Sequence, residues 1–211
     1  MLTWLFPSQC AACACPATTL CEACAASLLE LGPACPRCAE PLAHGACGRC
    51  AADPLPLDAV LAPWRFGGQL AAAIRRLKFT RRTHVARDLA PLWSPLLAAA
   101  VAAHDAIVVP VPMHWRRRLT RGYDHAWLLA RHACVAERLP APVAALRRVR
   151  HAPAQSTLTA AARRANLAGA FVVRTPAAIA GRVVVLVDDV VTTGATLAAP
   201  PARCAPRAPP P

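Results

Sequence analysis

Asp188 and Asp189 follow an apolar run, Val183 to Val187, and are followed after Val190-Val191 by Thr192, Thr193, Gly194, Ala195 and Thr196. Five apolar, mostly β-branched residues suit a buried parallel strand, so the chain leaves the sheet at the two acids. In an open α/β sheet, ligands sit at the carboxyl ends of strands. A small, hydroxyl-rich loop entering a helix there aims backbone N–H groups, hydroxyls and a helix N-terminus at one anion. The two carboxylates would repel that anion unless they accept hydrogen bonds from ribose hydroxyls or stand near a divalent cation. The chemistry indicated is recognition of a sugar phosphate, with residues 192–196 on the phosphate and Asp188 and Asp189 on ribose hydroxyls or beside a cation.

The second chemical signal is cysteine. Nine of the eleven cysteines fall in the first fifty residues, eight of them as Cys-x-x-Cys pairs: Cys10/Cys13, Cys21/Cys24, Cys35/Cys38 and Cys47/Cys50. Each pair can direct two thiolates at one tetrahedral ion, so four pairs make two zinc sites. The short gaps within the first two and within the last two pairs favour sequential pairing into two zinc ribbons over an interleaved arrangement. With four complete pairs no ligand is missing, and the zinc is expected to be structural. Cys15 is a spare that can replace a neighbour, and Cys134 reads as a small buried apolar side chain. So short a segment, rich in Pro and Ala, needs metal to fold.

Charge supplies the third signal. The chain has 24 Lys and Arg against 11 Asp and Glu, a net charge of +13. Two zinc ions on eight thiolates leave about +9, still strongly basic. Lys78 is the only lysine. The arginines cluster at 75–82, at Arg116, Arg117, Arg118 and Arg121, at 147–150 and at 163–164. Arginine, alanine and proline together also fit a GC-rich gene, but clustered guanidinium forks suit phosphates of a nucleotide or a nucleic-acid backbone. Trp115 and Tyr123 are the aromatics within reach of these clusters, too few for sequence-specific readout.

The elements that must position these residues follow from pattern. The 211 residues suffice for one α/β domain of about 150 residues and a small module. Residues 1–54 form the cysteine module, 55–199 the α/β domain, and 200–211 an Ala/Pro/Arg tail expected to be disordered. Expected elements are a strand over 59–66, helices over 69–79 and, kinked at its prolines, 85–103, a strand over 106–109, a helix over 123–138, a strand over 143–149, a helix over 160–167, and strands over 171–173 and 182–187. Alternating strands and helices predict a parallel, doubly wound sheet. The strand ends at Pro110 and Asp188 then face one crevice, where Arg116, Arg117, Arg118 and Arg121 stand ready for a pyrophosphate or DNA phosphates. Pro91 and Pro95 break the most apolar stretch, so the sequence supports no membrane-spanning helix. The start carries no secretory pattern, and the expected compartment is the cytoplasm.

The fourteen residues 183–196 resemble the signature of the type I phosphoribosyltransferases. The whole chain resembles the ComF family of competence-associated, phosphoribosyltransferase-like proteins. The resemblance rests on the cysteine pairs, Arg76-Leu77-Lys78-Phe79, Val109-Pro110-Val111-Pro112, Arg121-Gly122-Tyr123, Pro153-Ala154-Gln155 through Arg163, Arg164 and Asn166 to Phe171, and the phosphoribosyl loop. It implies a zinc-ribbon head on a type I phosphoribosyltransferase-like fold binding phosphoribosyl pyrophosphate with Mg²⁺. It also implies association with single-stranded DNA uptake and with a helicase-like partner. Two departures stand out. Asp124-His125 replaces the usual Asn-Gln after the Arg-Gly-aromatic motif, with His125 expected to be a surface residue of no consequence. Leu197-Ala198-Ala199 runs into prolines where a full helix is usual, as a frame change would produce. Two function classes follow: a binding protein that holds a phosphoribosyl ligand and handles DNA, or an active phosphoribosyltransferase with an acceptor the sequence does not name. A zinc-ribbon transcription factor ranks last, because it leaves the Asp188 loop without a role.

Overall fold

The computed structural model describes residues 9–17, 19–42, 46–150 and 169–191. The expected helix over 160–167, the Thr192–Thr196 loop and the 200–211 tail lie outside the described residues.

The two ribbons are built from the same parts. An isolated bridge (Gln9 with Pro16, Ala34 with Pro41) closes a knuckle that carries the first cysteine pair. The residue after each knuckle, Ala14 or Ala39, sits at positive φ (68° and 57°). The second pair lies on a five-residue helix, α1 (Glu22–Ala26) or α2 (Gly48–Ala52), with Cys21 or Cys47 at its N-cap. A cysteine at the cap and another three residues on share one helix face, which points both thiols the same way.

Beyond the ribbons, α3 (Gly68–Phe79) buries Ala73, Ile74 and Leu77. The expected 85–103 helix is divided where its prolines fall: α4 (His84–Leu89), a 3₁₀ turn (Ala90–Leu92) and α5 (Ser94–His104). Proline removes one helical N–H and clashes with the preceding turn, so each break follows from covalent geometry. The strand expected over 59–66 is not formed. Its segment makes a single bridge, Trp64 with Glu30, because Pro63 has no N–H to donate to a ladder.

β1 (Ile107–Pro110) leads through α6 (Trp115–Arg121) and α7 (His125–Ala136) to β2 (Leu146–Arg148); β3 (Phe171–Val173), α8 (Pro176–Ile179) and β4 (Val184–Val187) follow. Among the described residues the sheet is smaller than a doubly wound one. β1 pairs in parallel with β4, as expected, whereas β2 and β3 form a separate antiparallel pair. The reason lies in burial. β1 and β4 are covered on both faces: Val108 and Val187 pack against Leu97, Ala130 and Cys134 of α5 and α7, while Val109, Val184 and Leu186 pack against Leu146 and Ile179. β2 and β3 each bury one residue in three, expose a second and half-bury the third, which is the antiparallel habit. Cys134 is buried as expected, at 1% exposure.

The ribbons share cores with the rest of the chain. Cys10 and Cys24 pack in one cluster with Ile74, Leu77, Val85, Leu89 and Leu129. Cys35 and Cys38 pack in another with Val60, Val111 and Phe171.

Candidate functional site

The parallel register fixes the site's frame. Pro110 lies opposite Val187, and the Val111 N–H donates to the Val187 carbonyl at 2.9 Å. The chain segments leaving both strands, Val111–His114 and Asp188–Val191, therefore emerge at one edge. A parallel pair puts both carboxyl ends there by construction.

Asp124 sets the far side of the first segment. Its Oδ1 accepts from the N–H groups of Ala126 and Trp127 and caps α7, while its Oδ2 accepts from the Met113 N–H at 2.9 Å. One carboxylate thus starts a helix and ties down the loop after β1. Gly122 ends α6 at φ 89°, a left-handed conformation that only glycine adopts without strain. The tight turn brings His125 back toward β4.

At the centre, Asp189 is 5% exposed at its side chain and meets two nitrogen donors at one oxygen. Lys78 Nζ lies 2.6 Å and His125 Nε2 3.1 Å from Asp189 Oδ2. Arg121 Nη1 lies 3.2 Å from His125 Nδ1. Arginine has no acceptor, so Nδ1 must accept and Nε2 carries the proton donated to Asp189. The expectation that His125 is an inconsequential surface residue is corrected here: its side chain is 13% exposed and joins Arg121 to the acid pair.

The two carboxyls are pushed apart. Burial, then the charge of Asp189, raises Asp188 to about 7. Burial also pushes Asp189 upward, but the His125 hydrogen bond and the Lys78 ammonium outweigh it and hold it below the usual carboxylate range. One member of the pair is thus a fixed anion and the other a carboxyl able to donate or accept near neutral pH.

The four arginines of α6 divide. Arg117 is half-buried, and its charge, after burial, helps lower Arg148 of β2, while Asp188 opposes the shift. Arg117, Arg148 and Asp188 thus share one electrostatic neighbourhood. Arg121 turns inward to His125. Arg116 and Arg118 are exposed, with Arg116 over the Trp115 ring. Of the aromatics singled out in the sequence, Tyr123 is committed elsewhere, its hydroxyl donating to the Leu77 carbonyl. Phe79, named in the sequence only as the end of the 76–79 motif, lies instead under the Arg121 guanidinium, 5.3 Å from Cζ to ring centre. A cavity of about 1180 Å³ touches Asp188 and Asp189 at one rim, but its walls are mostly apolar residues of the 57–66 segment, α5 and β4. Arg49, Arg65 and Arg182 line it, but none of α6's arginines does.

The metal centres are better defined. Cys10, Cys13, Cys21 and Cys24 form one group and Cys35, Cys38, Cys47 and Cys50 another, with all sulfurs in a group within 4.8 Å of one another. A tetrahedral ion with Zn–S bonds of about 2.3 Å requires sulfurs about 3.8 Å apart. Cys13–Cys21 and Cys35–Cys50 are 3.7 Å apart and Cys38–Cys47 3.5 Å. The sequential pairing is therefore the one the fold builds, and the groups fit zinc. Burial pushes the Cys10 thiol up, but backbone N–H groups of Cys21, Cys13 and Ala12 outweigh it and bring it down to about 6. Arg37 and Cys38 do the same for Cys35, which falls to about 7. Cys15 stands outside the first group, its thiol raised to about 12 by Cys13 and Cys21.

Two tetra-cysteine centres seated on a mixed helix and strand core define a zinc-ribbon protein with an acidic strand-end site. Residues 1–52 match the double zinc ribbon domain. The chain is 33% identical over 188 residues to the DNA utilization protein YhgH of Salmonella typhimurium, covering 85% of this chain and 81% of the relative. It is 32% identical to the Escherichia coli protein of that name over the same shares, and 31% identical to competence protein F of Haemophilus influenzae over 84% and 80%. The chain belongs to the ComF family of competence-associated proteins. No solved structure matches it. Among the described residues no helix is long and apolar enough to cross a membrane.

Proposed function

We propose that this protein binds phosphoribosyl pyrophosphate at the Asp188–Asp189 strand end, on a type I phosphoribosyltransferase-like domain spanning 55–199, and that it handles single-stranded DNA during DNA uptake. The observation that carries the first part is the pairing of Pro110 with Val187, which places an acid pair, the loop after β1 and the cationic Arg117–Arg148 neighbourhood at one edge. The ribose hydroxyls meet Asp188 and Asp189, the 5-phosphate meets Thr192, Thr193, Gly194, Ala195 and Thr196, and the pyrophosphate meets Arg117 and Arg121. The names of the relatives, which speak of competence and DNA utilization, support the second part.

Magnesium enters this reading with the pyrophosphate. Asp189 Oδ2 already receives Lys78 and His125, so the oxygen donor that suits a hard cation is Asp188. Mg²⁺ would neutralise the pyrophosphate charge. The chain's own residues bind and orient: Lys78 and His125 fix Asp189, and Asp124 holds the loop facing it.

The test is thermal unfolding of the zinc-loaded chain with phosphoribosyl pyrophosphate and Mg²⁺, with ribose 5-phosphate, and with pyrophosphate alone. Ligand at about 100 times its Kd adds about 2.7 kcal/mol to a two-state fold. Stabilisation by the intact ligand above both fragments, lost in Asp189→Asn, supports the reading. No stabilisation of a folded chain opposes it, and pyrophosphate release on adding an acceptor would extend it to transferase activity.

A further inference from the structure

One exposed region joins aromatic rings to arginines, on two stretches of chain that carry no acid. Phe79, at the end of α3, is 72% exposed beneath Arg121. Trp115, at the start of α6, is 56% exposed beneath Arg116, whose Cζ lies 5.3 Å from the ring centre. Arg75, Arg81 and Arg118 are exposed nearby in sequence, and Arg81 Nη2 reaches the Thr120 carbonyl at 3.5 Å, joining the end of α3 to α6. Neither 59–87 nor 106–123 contains a single Asp or Glu. Large rings left in water within a basic field mark a partner that offers both flat apolar faces and negative charge. Single-stranded nucleic acid offers both, because every base has a π-face and every linkage a phosphate. In a duplex the bases already stack on one another and leave no face for these rings. Residues 115 and 121 lie about 9 Å apart along the α6 axis and about 120° apart around it, so a strand crossing α6 obliquely passes both stations.

We infer that single-stranded DNA lies across α6, with bases stacked on Phe79 and Trp115 and phosphates on Arg75, Arg81, Arg116 and Arg118. This rests on the DNA-handling part of the proposed function and gives it a surface.

The experiment is fluorescence anisotropy of a labelled oligo(dT) with the full zinc-loaded chain over a range of salt. Phe79→Ala and Trp115→Ala should each weaken binding about tenfold, as loss of one stacking station does. Their salt slope should stay that of the unmodified chain, since stacking releases no counterions, whereas Arg118→Gln should lower the slope. Trp115→Phe keeps a ring and should retain most of the affinity. Both rings are exposed, so unfolding midpoints should not move, which separates lost stacking from lost folding. A Phe79→Ala/Trp115→Ala double variant that binds as tightly as the unmodified chain would overturn the surface while leaving DNA handling intact. An unmodified chain that does not bind oligo(dT) at low salt would overturn both.

Discussion

Lys78 Nζ stands 2.6 Å from Asp189 Oδ2, and Lys78 is the only lysine in a chain with 24 basic residues. An ammonium is a compact point charge, and a planar guanidinium at the same place would need more room. Lys78→Arg is therefore not conservative. Lys78→Met leaves a buried carboxylate short of its cation and should cost about 3 kcal/mol. Asp189→Asn combined with Lys78→Met should cost less than the two single changes added together, because the residues are in contact. Denaturant unfolding of the four proteins measures the coupling.

The split acid pair gives a signed pH dependence. Asp188 is raised to about 7 in the folded chain, so its contribution is complete below its unfolded value of about 3.9 and is lost as pH rises through 7. Asp189 is held low, so its contribution is present above its unfolded value and lost as pH falls through its folded one. Asp188→Asn should flatten the decline in unfolding midpoint between about pH 4 and 7 relative to the unmodified chain, while keeping the acid-side loss. Thermal unfolding over pH 3 to 9 reads both limbs.

Zinc should stabilise more than the ribbons. Cys10 and Cys24 share a core with Leu77, Val85 and Leu89, and Cys35 and Cys38 share one with Val111 and Phe171. Chelation should release two zinc ions per chain and lower a single cooperative transition, since the ribbons have no core of their own to lose first. Calorimetry with and without chelator checks this. A separate early transition, with the main one unmoved, would contradict the shared cores.

Ala14 and Ala39 both sit at positive φ after their knuckles. A left-handed alanine costs about 1–2 kcal/mol, and glycine's extra chain entropy returns about half of that. Ala39→Gly should stabilise the zinc-loaded protein by about 0.5–1 kcal/mol, and Ala14→Gly likewise, read as a raised unfolding midpoint.

What the sequence made legible was local. The Cys-x-x-Cys spacing carried the two zinc centres and their sequential pairing, because tetrahedral ligation constrains residues three apart. The apolar run before Asp188 carried β4, and the prolines at 91 and 95 carried the breaks between α4 and α5. Contacts between distant residues were not legible. Nothing near Asp189 in sequence announces Lys78 or His125, which arrive from α3 and α7 only once the chain folds. α6 went unforeseen because Trp-Arg-Arg-Arg-Leu-Thr-Arg buries none of its residues and so has no apolar period, although Gly122 is a C-terminal signal. Phe79 was legible as the end of the 76–79 motif but not as a ring beside the arginines, because its exposure interrupts no pattern. The strand expected over 59–66 failed on Pro63, whose missing N–H outweighs the apolar composition around it.

The most direct measurement is a calorimetric titration of phosphoribosyl pyrophosphate with Mg²⁺ into the zinc-loaded chain and into Asp189→Asn and Lys78→Met. A saturable one-to-one isotherm in the unmodified chain, abolished by Asp189→Asn and weakened by Lys78→Met, is the predicted result. A folded, zinc-loaded chain that gives no heat beyond dilution, or an Asp189→Asn variant that binds as tightly as the unmodified protein, would contradict the assignment of the acid pair to a phosphoribosyl ligand.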